Sequence, residues 1–168
     1  PANNIKELVA LAKAKPNQLT YASSGNGGSP HLSAETFKIA TDTQILHVPY
    51  KGGGAAMTDL ISGNVHMLFA SVLETSAYIK SGKLKGLAIT SNRRVSALPD
   101  IPTLQEAGVT GAESGSWLGL LTPSGTPPEV VDKISSSLQQ VLAMPDVQQQ
   151  LLAQGAVAKG GTPADFVS

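Results

Sequence analysis

The chain contains no cysteine. Disulfides, thiolate metal sites and a cysteine nucleophile are thereby excluded, while oxidising and reducing compartments both remain open. Aromatic residues make up only 4% of the 168 residues, as Trp 1, Tyr 3 and Phe 3, so platforms for stacking bases or sugars are few. Charge is scarce and balanced: charged residues are 14%, with Lys+Arg 12 against Asp+Glu 12. No clustered basic field exists to displace counterions, which excludes nucleic acid as a partner. Nor is there an acidic disordered tail. No apolar run approaches the roughly 18 residues a membrane-spanning helix requires. Pro1 is preceded by no initiator methionine or leader pattern, and Thr162-Pro163-Ala164-Asp165 announces a helix just before Ser168. Both ends predict an internal piece of a longer protein.

What is present is a 41% hydrophobic chain of about one domain's length, enough to bury roughly two-thirds of its unfolded surface. Asn4-Ile5-Lys6-Glu7 has capping-box spacing, and Ile5, Leu8, Val9 and Ala12 recur at helical spacing until Pro16. A strand–turn–helix unit then repeats. Leu19 to Ala22 predicts a strand, followed by glycines and a helix capped by Ser29, with Pro30 first and Leu32, Ile39 and Ala40 inward. Ile45 to Val48, Gly52-Gly53-Gly54 and a helix bearing Ala56, Met57, Leu60 and Ile61, closed by Gly63, form the second unit. Val65 to Ala70, a turn at Ser71, a helix through Tyr78 and a strand from Leu84 to Thr90 form the third. Uninterrupted apolar strands joined by helices predict a doubly wound, mostly parallel α/β sheet. After Pro99 and Pro102 a short helix runs to Gly108, and the Gly/Ser-rich stretch 111–116 places a domain boundary near 110. Beyond it lie one apolar strand, Trp117 to Thr122, and a helix with a Thr126-Pro127-Pro128-Glu129 capping box and Val130, Val131, Ile134, Leu138, Val141 and Leu142 on one face. One strand and two helices cannot close a core, so this tail predicts either a missing partner segment or self-association through its strand and helix.

Ligands of open α/β sheets sit where the strand-to-helix turns converge. Three turns are candidates: Ser23-Ser24-Gly25-Asn26-Gly27-Gly28-Ser29, Lys51-Gly52-Gly53-Gly54, and Ala70-Ser71-Val72. Glycine lets backbone approach a ligand, and the following helix presents free N–H groups and partial positive charge, which suits an anion. The same glycines also serve plain tight turns, a reading the sequence leaves open. The candidate contacts are Ser23, Ser24, Gly27, Gly28, Ser29, Gly52, Gly53 and Ser71.

Other chemistries lack their residues. No Gly-Lys-Ser/Thr follows a glycine run, and Pro30 stands where a dinucleotide fingerprint needs its third glycine. No Gly-x-Ser-x-Gly elbow occurs, and His47 and His66 in strands read as structural. His31 and Glu35 share a helical face as two metal ligands would, yet no further ligand is spaced to complete a shell. Arg93-Arg94 suits a carboxylate fork or a solvated surface pair. Neither a catalytic set, a metal site nor a cofactor is expected.

The succession Tyr21-Ala22-Ser23-Ser24-Gly25-Asn26-Gly27-Gly28-Ser29-Pro30-His31-Leu32, Val48-Pro49-Tyr50-Lys51-Gly52-Gly53-Gly54, Asp59-Leu60 and Gly63-Asn64-Val65 resembles the receptors of tripartite tricarboxylate transporters, the Bug family. Ser81-Gly82-Lys83-Leu84-Lys85-Gly86-Leu87-Ala88, Leu98-Pro99-Asp100-Ile101-Pro102-Thr103, Glu106-Ala107-Gly108 and Trp117 with Pro123-Ser124-Gly125-Thr126-Pro127 continue the likeness in the family's order. His66 departs from the family's usual Asp, at a position that alternates away from the turn. The resemblance implies a periplasmic, two-lobed solute-binding protein that closes on a small carboxylate, without an enzymatic step, and delivers it to transporter membrane subunits. It further implies that residues 1–110 are the complete second lobe and 111–168 the C-terminal part of the first. Half a cleft leaves a ligand wet, so this piece alone is expected to bind poorly. Two other readings stay open: a ligand-sensing α/β regulatory domain, marked by an upstream helix-turn-helix, and a small α/β hydrolytic enzyme, marked by turnover that depends on Ser24 or Ser29.

Overall fold

A computed structural model of the chain describes residues 2–167. It divides into two compact units, residues 1–116 and 117–168.

The first unit begins with α1 (Ile5–Ala14), where Asn4 Oδ1 accepts the Glu7 N–H and the Glu7 carboxylate accepts the Asn3 N–H. Then follow β1 (Thr20–Ser23), α2 (Ser29–Thr41), β2 (Leu46–Pro49), α3 (Gly53–Ile61), β3 (Met67–Leu68) and α4 (Val72–Lys80). All strands are parallel, in the order β2-β1-β3, with Tyr21 beside His47 and Met67 and Ala22 beside Val48 and Leu68. Strand alternation sends Tyr21 and Ala22 to opposite faces. Tyr21 joins Leu8, Ala12, Phe37, Ile45 and Leu104 under α1 and α2, whereas Ala22 joins Ala56 and Val65 under α3. Helices thus cover both faces, the arrangement expected of a doubly wound sheet.

Several local expectations are corrected. On α2 the buried residues are Ala34, Phe37 and Thr41, while Leu32, Ile39 and Ala40 are exposed. The buried stripe is 34-37-41, which lies on the side facing Tyr21, so the sheet selects the face that the apolar pattern misassigned. The N-cap of α2 is Gly28, and Ser29 and Pro30 occupy its first turn. Gly63 does close α3, with its N–H on the Leu60 carbonyl and the Asn64 N–H on that of Asp59, a Schellman motif. Ile61 is half-exposed. The third strand is only Met67–Leu68. The run 84–90 is no strand; one parallel bridge, Ile89 to Thr103, marks it. Within it Gly86 is closely packed, and a Cβ there would collide with the Ile101 side chain. The segment before Gly108 is a turn rather than a helix. Residues 111–116 pack with the first unit: Ala112 is in its core, and Ser114 bonds Ser33 and Thr90.

The second unit holds α5 (Pro128–Ala143), α6 (Pro145–Ala153) and α7 (Pro163–Val167). Trp117 to Thr122 forms no strand, because no described segment pairs with it. The Thr126 capping box does not form either: Pro127 is the N-cap of α5, and the Thr126 hydroxyl turns back to the Pro123 carbonyl. Thr162 and Asp165 do cap α7 reciprocally. None of the described side chains of residues 117–166 is buried.

Candidate functional site

The turns after β1 and β2 are tied together. The Tyr50 N–H donates to the Ser23 carbonyl at 3.0 Å and the Gly52 N–H to that of Ser24 at 3.3 Å. The third turn reaches the second through Glu74, whose Oε1 would lie 3.2 Å from a Cβ placed on Gly53. The structure therefore gathers all three turns at the carboxyl end of the sheet, where the N-termini of α2, α3 and α4 begin.

Within that cluster the predicted residues divide. Ser23 is fully buried; its hydroxyl accepts the Gly25 N–H at 3.2 Å and lies 2.6 Å from His47 Nε2. Gly27, at φ +77°, donates its N–H to His31 Nδ1 at 3.1 Å. Gly52 adopts φ +106° and donates to Ser24. The Ser71 hydroxyl is engaged in a complete capping box with Glu74. These four shape the turns. Ser24 and Ser29 are exposed, and Gly28 and Gly53 are partly exposed. The Gly28, Ser29 and Gly53 N–H groups have no partner among the described residues, as first-turn geometry leads one to expect.

Sequence reasoning missed the ring stack beneath the first turn. His31 lies on His47 at 4.3 Å and 21° between planes, and His47 on Tyr21 at 4.7 Å and 14°. The Tyr21 hydroxyl donates to Glu35 at 2.5 Å, and Lys38 pairs with the same carboxylate at 2.8 Å. Burial, then the Glu35 bond, pushes the Tyr21 hydroxyl well above its ordinary pKa. Burial also opposes ionisation of Glu35, but the Lys38 and Tyr21 bonds outweigh it and hold its pKa low. His47 is held below the usual imidazole value, first by burial and then by the charge of His31. Glu35 is thus committed to Tyr21 and Lys38. The described residues contain no group of three or more His, Cys, Asp or Glu placed to hold a metal ion. A signal was available: laying the first two predicted strands side by side from their ends brings Tyr21 against His47.

The Ser23–His47 distance is that of a nucleophile and its base. Full burial of Ser23 removes the attacking oxygen from any substrate carbon. Arg94 Nε meets the Glu106 carboxylate at 2.9 Å, with both side chains nearly half-exposed. That fork is intramolecular, and such exposed pairs contribute little to stability. His66 Nδ1 lies 3.1 Å from the Thr20 N–H, at the opposite end of β1 from the turns.

Fold and turns define a doubly wound α/β layer at whose carboxyl end the backbone of three strand-to-helix turns converges. The chain belongs to the tripartite tricarboxylate transporter receptor family, TctC, whose model matches residues 1–160. It is 35% identical over 161 residues to the UPF0065 protein of the tcbD-tcbE intergenic region of Pseudomonas sp. strain P51, covering 95% of this chain and 48% of that protein. Among solved structures, R. palustris Rpa4515 with adipate matches at TM-score 0.95 and 34% identity, over 99% of this chain and 56% of that one. The periplasmic binding protein BugD matches at TM-score 0.87 and 41% identity, over 92% and 52%. MatC of Rhodopseudomonas palustris with bound malate matches at 0.88 and 28%, over 94% and 54%. The chain therefore spans about half the length of these relatives.

Proposed function

We propose that this chain is the ligand-gripping part of a periplasmic solute receptor that captures a small carboxylate between two lobes and passes it, chemically unchanged, to transporter membrane subunits. In this reading residues 1–110 form the second lobe, 111–116 are the connection packed against it, and the chain from 117 on belongs to the C-terminal part of the first. The observation that carries the reading is the gathering of the three turns, with the Gly28, Ser29 and Gly53 amides at helix N-termini partnerless among the described residues. Ser24 and Ser29 supply hydroxyls, while Ser23, Gly27, Gly52 and Ser71 hold the turns in shape. Adipate and malate in the two matched receptors support an organic diacid as ligand, and the burial of Ser23 supports binding without turnover. Each hydrogen bond to a carboxylate contributes about 1.5–3 kcal/mol, so three or four from this lobe give useful but incomplete affinity before closure adds the opposite contacts.

The test is a thermal-shift panel of mono-, di- and tricarboxylates on the protein encoded by the complete reading frame. At least one acid is expected to raise Tm, and a flat panel overturns the reading. Gly28→Pro deletes a proposed contact while its φ of −70° already suits proline. Its ligand shift is expected to vanish while Gly28→Ala, which keeps the N–H, retains it. Equal binding by both variants would reject this loop.

A further inference from the structure

We infer that His31 is the positioning residue of the first ligand turn, and that protonation of its ring releases that turn. The inference rests on the receptor reading only for its link to ligand affinity; the structural link stands on the geometry alone.

Gly27 sits in the left-handed region, at φ +77°, and its N–H points at His31 Nδ1, 3.1 Å away. An imidazole nitrogen accepts such a bond only with its lone pair free, which places the ring proton of the neutral form on Nε2. The ring is fixed in that orientation by the stack on His47, which stacks in turn on Tyr21. Tyr21 is fully buried in the middle strand. Three parallel rings therefore connect the sheet interior to the peptide that precedes Gly28, one of the proposed ligand contacts. A Cβ on Gly27 would meet no atom within 4 Å outside its chain neighbours. The His31 bond is its side-chain anchor.

An imidazolium has two donors and no acceptor. On protonation Nδ1–H faces the Gly27 N–H, and the anchor becomes a donor–donor clash. The groups facing the ring from packed elements are His47 on β2 and Tyr21 on β1, with Glu35 and Lys38 on its own helix. His47 lies 4.3 Å away in the stack. The Glu35 carboxylate is shared between Lys38 and Tyr21. The neutral ring holds the turn; the charged ring frees it.

The experiment uses the protein of the complete reading frame, ¹⁵N-labelled and ligand-free. The protection factor of the Gly27 amide is measured at pH 8 and pH 5, which bracket the range in which imidazoles titrate. His31→Asn sets an acceptor oxygen close to the Nδ1 position that does not titrate, and His31→Phe keeps a stacking ring without an acceptor. In the wild type, protection is expected to fall about tenfold between pH 8 and pH 5. It should stay high at both in His31→Asn and low at both in His31→Phe. Wild-type protection in His31→Phe, or an undiminished acid loss in His31→Asn, overturns the proposal. A parallel titration with adipate reads the functional link: its affinity should follow the protection factor, with the acid loss absent in His31→Asn. Adipate affinity that ignores the protection factor overturns that link. Absence of any carboxylate binding at pH 8 would strike the receptor reading, and the amide-exchange result would still decide the role of His31.

Discussion

At the scale of the residue, the decisive groups are ones whose chemistry is turned inward. Ser23 belongs to the glycine-rich motif, yet its hydroxyl is sealed against His47 and Gly25; sequence placed it in the right turn and could not say which way it faced. Side-chain direction in a strand depends on register with its neighbours, and the register that stacks Tyr21 on His47 is a property of two paired strands, in contact through Ser23 and His47 as well. The same stack sets a pH dependence. His47 has its pKa lowered in the folded state, so the unfolded chain binds more protons, and stability falls as pH drops below the ordinary imidazole value of 6.5. Glu35, also lowered, adds a second loss as pH falls through the carboxylate range below 4.5. Urea midpoints measured from pH 8 to pH 3 should therefore decline in two steps, and His47→Gln should shrink the upper one while leaving the lower. A variant that keeps both steps would reassign the upper step to another group. Phe37, also fully buried and packed on Phe69, tests the core directly: Phe37→Ala is expected to cost about 3–5 kcal/mol, read from the same denaturation curves.

At the scale of the element, what was legible is what is locally encoded. The cap of α1 at Asn4, the stop of α3 at Gly63 and the short glycine turns all need only a few neighbouring residues, and all appear. What was illegible needs a partner. The apolar runs 84–90 and 117–122 read as strands because β-propensity measures fit to a pleated surface, but a strand exists only where backbone groups are paired, and Ile89 alone finds a bridge. The missed face of α2 is the same lesson, since Leu32 and Ile39 are as apolar as the residues the sheet buries. Two substitutions separate local from partner-dependent terms. Ser71→Ala removes a complete capping box and should cost roughly 0.5–2 kcal/mol, with adipate affinity nearly unchanged if Ser71 shapes its turn rather than touching ligand. Gly86→Ala drives a methyl into Ile101 and should cost about 1–3 kcal/mol by overpacking, relieved in part by Ile101→Val. Lack of relief would locate the strain in the backbone.

At the scale of the molecule, the two units differ in how apolar surface is treated. The first buries Tyr21, Phe37, Leu104 and their apolar neighbours in three clusters around the sheet and the 89–104 region, leaving Leu32, Ile39, Leu46, Ile61 and Leu73 exposed. In the second, α5 carries Val130, Ile134 and Val141 substantially exposed, and Leu118 is 94% exposed. A helix of that pattern draws its stability from packing its apolar face, since propensity alone leaves a 16-residue helix marginal in water. The chain spans about half the length of the relatives and solved structures described above. The 168-residue chain should then show a divided pattern of amide exchange: β1 and β2 amides protected by the full unfolding free energy of the first unit, and α5 amides exchanging within a factor of about ten to a hundred of an unstructured peptide. In the protein of the complete reading frame, α5 protection should rise toward that of β1. Comparable protection of α5 and β1 in the 168-residue chain would mean that α5 finds an apolar partner within this sequence or in a second copy, and a dilution series separates those two, because only self-association loses protection as concentration falls.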